Sequence, residues 1–328
     1  MIYTLQGLRA LATLGIFLFH SGLLINGTFL VTFFFILSGF LTYYSKYKNI
    51  ESMNCSKSIK WIFNKMKPFY AVHIITFLLS ILVRWNWVCK LEKIELVRKV
   101  ILNLLLIQTF SKDDILVFNN LSWFLSVIFI LYIFAIPCIK VIKKIPKNKL
   151  LIIICLILVL QYVLNIFNIA NIHEISLYFN PMYRMLDFIL GMIVSRIFLE
   201  NIYNIKRYNL CEISIVIIFI IMYLLSFFIK TGCSYYSLVF IISLYIFAHG
   251  KGRISKILEN DILIYFANIS FEFYMVHELI LIIFRKVFIN LNYHWLIKSI
   301  IISIPSFIIS LILSILINKY VTKKIKYK

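Results

Sequence analysis

Long apolar runs, separated by short polar segments rich in lysine, make up almost the whole chain. Each run is about as long as a helix that crosses the roughly 30 Å hydrocarbon core of a bilayer. We therefore predict an all-α integral membrane protein with about ten transmembrane helices in a single domain, residues 1–328, and no separate soluble domain. The predicted spans are 5–25, 28–45, 68–88, 121–139, 150–168, 183–199, 211–229, 234–249, 262–284 and 296–318.

The distribution of lysine and arginine predicts the orientation of these spans. Basic residues cluster in segments 46–67, 140–149, 200–210 and 250–258 and in the C-terminal tail. Because cytoplasmic loops are enriched in Lys and Arg, we expect these segments and both chain ends on the cytoplasmic side. The further run 99–110 is too short to cross comfortably, and its crossing would move the lysine-rich segment 140–149 outside. We expect it to form an interfacial or re-entrant helix.

Composition supports a membrane protein and argues against other classes. Of 328 residues, 62% are hydrophobic and 14% charged, and the net charge is +21. In a soluble protein this charge would suggest nucleic acid as a partner, but here the cations lie in short loops rather than on a folded polar surface. The six cysteines form neither a C-x-x-C motif nor a Cys/His cluster, so we predict no metal site.

Two ionisable residues, Arg9 and His20, lie inside the first span. Eleven helical residues make about three turns, so both side chains share one face, about 16 Å apart along the axis. Ionisable groups are costly in a membrane and often mark a functional path. The alternative is that Arg9 reaches the lipid headgroups and that a neighbouring helix satisfies His20.

Further ionisable residues are predicted at the height of His20. They are Arg184 and Asp187 in the sixth span and His277 in the ninth. A histidine beside a carboxylate suits general-base chemistry, because the carboxylate fixes the tautomer and stabilises the imidazolium ion. Arg184 and Asp187 are three residues apart, so they could instead simply pair with each other.

At the cytoplasmic end, Arg9, Lys65 and Lys67 form a predicted cationic mouth. Such a mouth suits a ligand that carries phosphate groups. The second span carries Thr28, Thr32, Phe35, Gly39 and Thr42 at helical spacing, and this small, polar face predicts close packing against another helix.

Six segments, in order along the chain, resemble elements of the acyltransferase-3 family of integral-membrane O-acyltransferases. They are LQGLRALATLGIFLFH with Arg9 and His20, FFFILSGFL with Ser38 and Gly39, NKMKPFY, LSWFLSVIFILY, YRMLDFILGMIVS with Arg184 and Asp187, and ISFEFYMVHELIL with Ser270, Tyr274 and His277. The predicted ten spans agree with the family's usual architecture. We expect the stand-alone form, without the extracytoplasmic esterase-like domain of some relatives.

The resemblance implies transfer of an acyl group, expected to be acetyl, from cytoplasmic acyl-CoA to a hydroxyl of a cell-surface polysaccharide or lipid-linked glycan. It implies a bacterial cytoplasmic membrane protein surrounded by lipids, with acyl-CoA as co-substrate and no bound cofactor. The donor-binding residues would be Arg9, Lys65 and Lys67, together with Ser38 and Gly39 of the second element.

The same resemblance implies that the catalytic residues are His20, Asp187, Arg184 and His277. His20 would act as the base on the acceptor hydroxyl or carry the acyl group itself. Asp187 or Arg184 would orient His20 or the acceptor, and His277 would assist.

Two acidic residues of the last element depart from the family pattern and bear on the substrate. Glu278 stands where Pro or an apolar residue is common, and Glu272 is unusual within this element. A transporter or flippase for a glycan or small solute is the main alternative function, because the same charges could line a translocation path. A structural scaffold would leave the intramembrane charges unexplained.

Overall fold

A computed structural model of the chain describes residues 2–167, 176–228, 233–290 and 293–326. Within these ranges the regular structure is helical and contains no strand. Each of the ten predicted spans coincides with an α-helix. The α-helices are α1 (Tyr3–Ser21), α2 (Phe29–Lys46), α3 (Cys55–Val83), α4 (Trp85–Val88), α5 (Lys93–Leu104), α6 (Ser122–Lys144), α7 (Leu150–Phe167), α8 (Pro181–Leu199), α9 (Tyr208–Leu225), α10 (Ser237–Ala248), α11 (Arg253–Leu258), α12 (Asp261–Val287), α13 (Trp295–Ile317) and α14 (Lys323–Lys326).

Seven helices in the described ranges are long and apolar enough to cross a membrane. They are α2, α3, α6, α7, α9, α12 and α13. Of the other predicted spans, α1 and α8 carry more polar residues, and α10 has only 12 residues. The prediction of an all-helical, multi-pass membrane protein is confirmed, and the count of ten spans stays a prediction.

The lysine-rich segment before the third span is the clearest difference from the predicted boundaries. Residues 55–67 were expected in a loop, but α3 already begins at Cys55. The Asn54 side chain caps this helix by accepting a hydrogen bond from the Lys57 backbone N–H at 2.9 Å. Lysine is also a good helix former, so a polar helical extension continues directly into the apolar span.

The short run 99–110 divides between α5 and a 3-10 turn, Gln108–Phe110. With 12 residues, α5 is about 18 Å long and too short to cross a bilayer. Buried Asp114 ties it to the following loop by accepting hydrogen bonds from Lys99 at 2.9 Å and Arg98 at 2.6 Å. Burial alone would raise the pKa of Asp114, but the Ser111 hydroxyl and these two cations lower it below its ordinary value, so the carboxylate stays charged at neutral pH.

Side-chain contacts bring the lysine-rich segments together at one end of the helices, which we call the lysine-rich side. The contacts are Lys143 with Glu51 at 2.8 Å, Lys147 with Glu200 at 3.3 Å, Asn209 with the Arg253 N–H at 2.9 Å, and Thr4 with the Phe247 carbonyl at 2.6 Å. The opposite side carries the C-terminal ends of α1, α3 and α12. There Lys286 donates to the Val83 carbonyl at 2.7 Å, and Arg285 donates to the His20 carbonyl.

Two glycines allow α2 and α8 to pack with their backbones in contact. A Cβ atom on Gly39 would lie 1.9 Å from the Phe188 carbonyl oxygen, and one on Gly191 would lie 1.9 Å from that of Ile36. Small residues permit this close approach in membrane proteins. The predicted packing face of the second span is therefore confirmed at Gly39.

We expect Gly191→Ala to destabilise the protein by about 3 kcal/mol, because the added methyl group forces two backbones apart. Gly15→Ala is the matched control, since its Cβ would meet only the flexible end of the Leu30 side chain. Thermal unfolding of detergent-solubilised protein measures both changes. Equal unfolding temperatures for the two variants would contradict the close backbone contact.

Candidate active site

Two histidines from different helices meet near the end of α1 that lies opposite the lysine-rich side. His20 Nδ1 lies 2.9 Å from His277 Nε2. The imidazole rings stack, with centroids 5.1 Å apart and an angle of 17° between the planes. His277 is fully buried in α12, whereas His20 is only partly buried. The structure thus brings together two of the predicted site residues, 257 positions apart in the chain.

The hydrogen bonds of this pair determine where its protons lie. His277 Nδ1 is 3.1 Å from the Phe273 carbonyl oxygen. Because a carbonyl oxygen only accepts, this nitrogen carries the hydrogen, and His277 Nε2 is left as an acceptor when the ring is neutral. His20 Nδ1 then donates to His277, and His20 Nε2 keeps its lone pair. This tautomer is the one that a base or nucleophile requires.

A cavity of about 830 Å³, its open mouth included, lies between five helices on the lysine-rich side of this pair. Helices α1, α2, α3, α6 and α12 form its walls. Most of the lining side chains are apolar. The polar ones are Arg9, Thr13, Ser38, Thr42, Lys65, Tyr132, Ser270 and Tyr274.

The cavity leads along two helix faces towards the histidine pair. On α1, Arg9, Thr13 and Ile16 line the cavity, and His20 follows one turn later on the same face. On α12, Ser270 and Tyr274 line it, and His277 follows three residues later on that face. A ligand that fills this space would therefore extend from the guanidinium of Arg9 towards the imidazoles.

Arg9 supplies the positive charge of the cavity wall. Among the described residues, its guanidinium group has neither a hydrogen-bond acceptor nor an ion-pair partner. The Glu272 carboxyl and the Tyr132 hydroxyl act electrostatically on it. Glu272 is itself held by Asn318, whose side-chain amide donates to it at 2.8 Å. A guanidinium with open donors fits a phosphate group well.

The other predicted donor-binding residues divide between the cavity and its surroundings. Lys65 lines the cavity, with its ammonium group 5.9 Å from the centroid of the Tyr132 ring, and Ser38 lines it beside them. Lys67 is exposed and does not line the cavity, because residues two apart on a helix point to opposite faces. Gly39 does not line it either and instead packs against α8.

Arg184 and Asp187 form a separate buried centre on α8. Their side chains are paired at 2.9 Å and have no exposed surface. Asp187 also accepts hydrogen bonds from Gln161 at 2.8 Å and Ser237 at 3.2 Å, and Arg184 donates to Thr32 at 3.0 Å. The expectation that the Asp187 carboxylate contacts His20 is therefore wrong. The hydrogen-bond partner of His20 is another imidazole.

Sequence reasoning did not assign a role to several residues of this site. Tyr132 ends the fourth family-like segment, and its ring lines the cavity together with Lys65 and Arg9. Ser270 and Tyr274 share a segment with His277, and their helical spacing from it could have indicated a shared face. The partners of Asp187 gave no recognisable signal, because Gln161 stands alone in an apolar run and Ser237 looks like the end of the polar segment 231–236.

Comparison with known proteins identifies one family. A family model described as an acyltransferase domain matches residues 2–319, which is nearly the whole chain. No curated protein and no solved structure matched. The matched range includes every residue of the cavity and of the histidine pair.

Proposed function

Because the chain belongs to the acyltransferase-3 family of membrane acyltransferases, we propose that it moves an acetyl group from cytoplasmic acetyl-CoA to a sugar hydroxyl. The acceptor is a cell-surface polysaccharide or lipid-linked glycan, and the protein resides in the bacterial plasma membrane. All ten predicted spans cross, with the lysine-rich side in the cytoplasm. The observation that carries the proposal is a cavity that leads from Arg9, whose guanidinium has no acceptor among the described residues, towards the histidine pair beyond it.

The donor enters from the lysine-rich side. Its phosphate groups bind Arg9 and Lys65 at the cavity wall, because charge-assisted hydrogen bonds to phosphate are strong where water is scarce. The pantetheine arm then follows the shared face of α1 and α12. This places the thioester near His20, about 16 Å along the axis from Arg9.

At the histidine pair, His20 Nε2 takes the proton of the acceptor hydroxyl. The oxygen attacks the thioester carbonyl, so that a carbon–oxygen bond forms and the carbon–sulfur bond breaks. The proton passes from His20 to the departing sulfur, and CoA leaves as a thiol. His277 is a positioning residue: its Nε2 accepts from His20 Nδ1 and stabilises the imidazolium, as the carboxylate does in a hydrolase triad.

The tautomer also leaves His20 Nε2 able to attack the thioester itself, which would make His20 the acyl carrier. Rapid acid quenching of the protein with labelled acetyl-CoA, without acceptor, separates the two roles. We expect no label on the protein, since the proposal assigns proton transfer to His20. Label on His20 would assign it the carrier role.

Arg184 and Asp187 act as positioning residues in this proposal. Their hydrogen bonds link α8 to α2, α7 and α10, and α2 provides a large share of the cavity wall. We infer that the pair holds this wall in place without touching the acceptor.

Two variants, Lys65→Ala and Lys67→Ala, test the donor site. We expect Lys65→Ala to raise the KM for acetyl-CoA about tenfold, because a charge-assisted contact to phosphate is lost. Lys67 lies two residues further along and outside the cavity. Lys67→Ala should therefore change the KM for acetyl-CoA less than about twofold. Initial rates at varied acetyl-CoA concentration give both values. A larger effect from Lys67 would contradict the assigned cavity.

The reaction itself is tested in cells with the gene, without it, and with a His20→Ala variant. Mass spectrometry of the envelope glycans should show acetyl increments only with the wild-type gene, at equal protein levels. Unmodified glycans in all three strains would contradict the proposal. Gene-dependent movement of a glycan or solute with no covalent change would favour a transporter instead.

A further inference from the structure

A second polar cluster lies beside the histidine pair, on the side away from the cavity. It consists of Glu278, Asn120 and Arg84, from α12, the loop before α6 and the end of α3. The Asn120 amide donates to Glu278 Oε1 at 2.8 Å, and Arg84 Nη2 donates to Asn120 Oδ1 at 2.8 Å. Asn120 thus holds the carboxylate of Glu278 and the guanidinium of Arg84 in fixed positions.

Two polar atoms of this cluster are buried without a partner among the described residues. They are Glu278 Oε2 and Arg84 Nε. A buried polar atom that lacks a hydrogen bond costs about 1–3 kcal/mol, so native structures rarely keep one without a reason. Here one acceptor and one donor remain available in the same cluster. This is the arrangement that a hydroxylated ligand can satisfy.

The cluster lies at the height of the histidine pair along α12. Glu278 directly follows His277, which contacts His20. Arg285 donates to the His20 carbonyl, and its charge acts on both His20 and Glu278. Because Glu278 lies further along α12 than the residues that line the cavity, a ligand bound by Glu278 would lie at the height of the histidine pair, beyond the donor cavity.

We propose that Glu278, Asn120 and Arg84 form the recognition site for the acceptor, and that the acceptor is a sugar with a vicinal diol. One hydroxyl of the diol faces His20 and receives the acetyl group. The neighbouring hydroxyl donates to Glu278 Oε2, and Arg84 Nε donates to an oxygen of the same ring. This inference rests on the proposed function and names the acceptor chemistry within it.

The test uses full-length protein in lipid nanodiscs with acetyl-CoA labelled in the acetyl group. The acceptor probe is envelope glycan from cells that lack the gene, freed of its esters by mild base. Glu278→Gln preserves the size of the side chain and the bond to Asn120, but replaces an acceptor oxygen by an amide. Glu95→Gln, an acid of α5 away from the cluster, is the matched control.

We expect Glu278→Gln to raise the KM for the glycan at least about tenfold, since a hydrogen bond to a charged group is lost. The KM for acetyl-CoA and the slow release of CoA without glycan should match those of wild type. Periodate, which cleaves vicinal diols, should abolish acceptance of the glycan by wild-type protein.

Three results would overturn the inference. They are an unchanged glycan KM in Glu278→Gln, an equal loss of glycan-independent CoA release, which would indicate a structural role, and normal acetylation of periodate-treated glycan. If wild-type protein transfers no label to untreated glycan, the proposed function itself fails, and the acceptor site falls with it.

Discussion

The His20→Ala variant is expected to lose acetyl transfer by about 10³-fold in kcat, within the range that removal of a general base produces. The KM for acetyl-CoA should change little, because Arg9 lies about 16 Å away along the helix. Rates of labelled acetyl transfer in nanodiscs measure both quantities. His294→Ala is the matched control, since His294 is exposed at the start of α13 and outside the cavity.

Variants of His277 test whether it acts through His20. His277→Gln keeps an oxygen that can accept from His20 Nδ1, so it should retain more activity than His277→Ala. Equal rates for the two variants would contradict the positioning role. A His20→Ala protein that transfers acetyl groups at nearly the wild-type rate would contradict the whole reaction scheme.

Replacement of Arg9 by Gln is expected to raise the KM for acetyl-CoA by about 10- to 100-fold, because one or two charge-assisted hydrogen bonds to phosphate are lost. The variant should also lose its ability to distinguish acetyl-CoA from acetyl-pantetheine, which lacks the nucleotide phosphates. Comparison of kcat/KM for the two donors measures this loss directly.

Arg207→Gln is the control for that experiment, because Arg207 is exposed on the lysine-rich side and does not line the cavity. If Arg9→Gln preferred acetyl-CoA over acetyl-pantetheine as strongly as wild type does, phosphate binding at Arg9 would be excluded.

The helices could be predicted because membrane spans depend on local composition. Apolar runs of sufficient length form helices wherever they occur, since no other open structure satisfies the backbone in lipid. The boundaries were less predictable. The early start of α3 depends on a single cap at Asn54 and on lysines that look like a loop but favour a helix.

The sequence placed the candidate residues on their helices, but only some of their contacts could be predicted. Helical spacing placed Arg9 and His20 on one face, and the structure agrees. Spacing within one helix does not say which helices are neighbours, so the sequence could not choose between Asp187 and His277 as the partner of His20. The same limit explains Lys67, which stands near Lys65 in sequence but points away from the cavity.

At Gly39 two predictions compete. Its motif suggested donor binding, whereas its place on a small helix face suggested packing. The structure shows backbone contact with Phe188, and this contact is sufficient to require glycine.

The most direct test of the account is the fate of the acetyl group when purified protein meets labelled acetyl-CoA and de-esterified glycan in nanodiscs. We predict that each CoA thiol released above the slow glycan-independent rate is matched by one label on a glycan oxygen, and that His20→Ala yields neither. Release of CoA with no label in the glycan, or equal labelling by the His20→Ala protein, would contradict it.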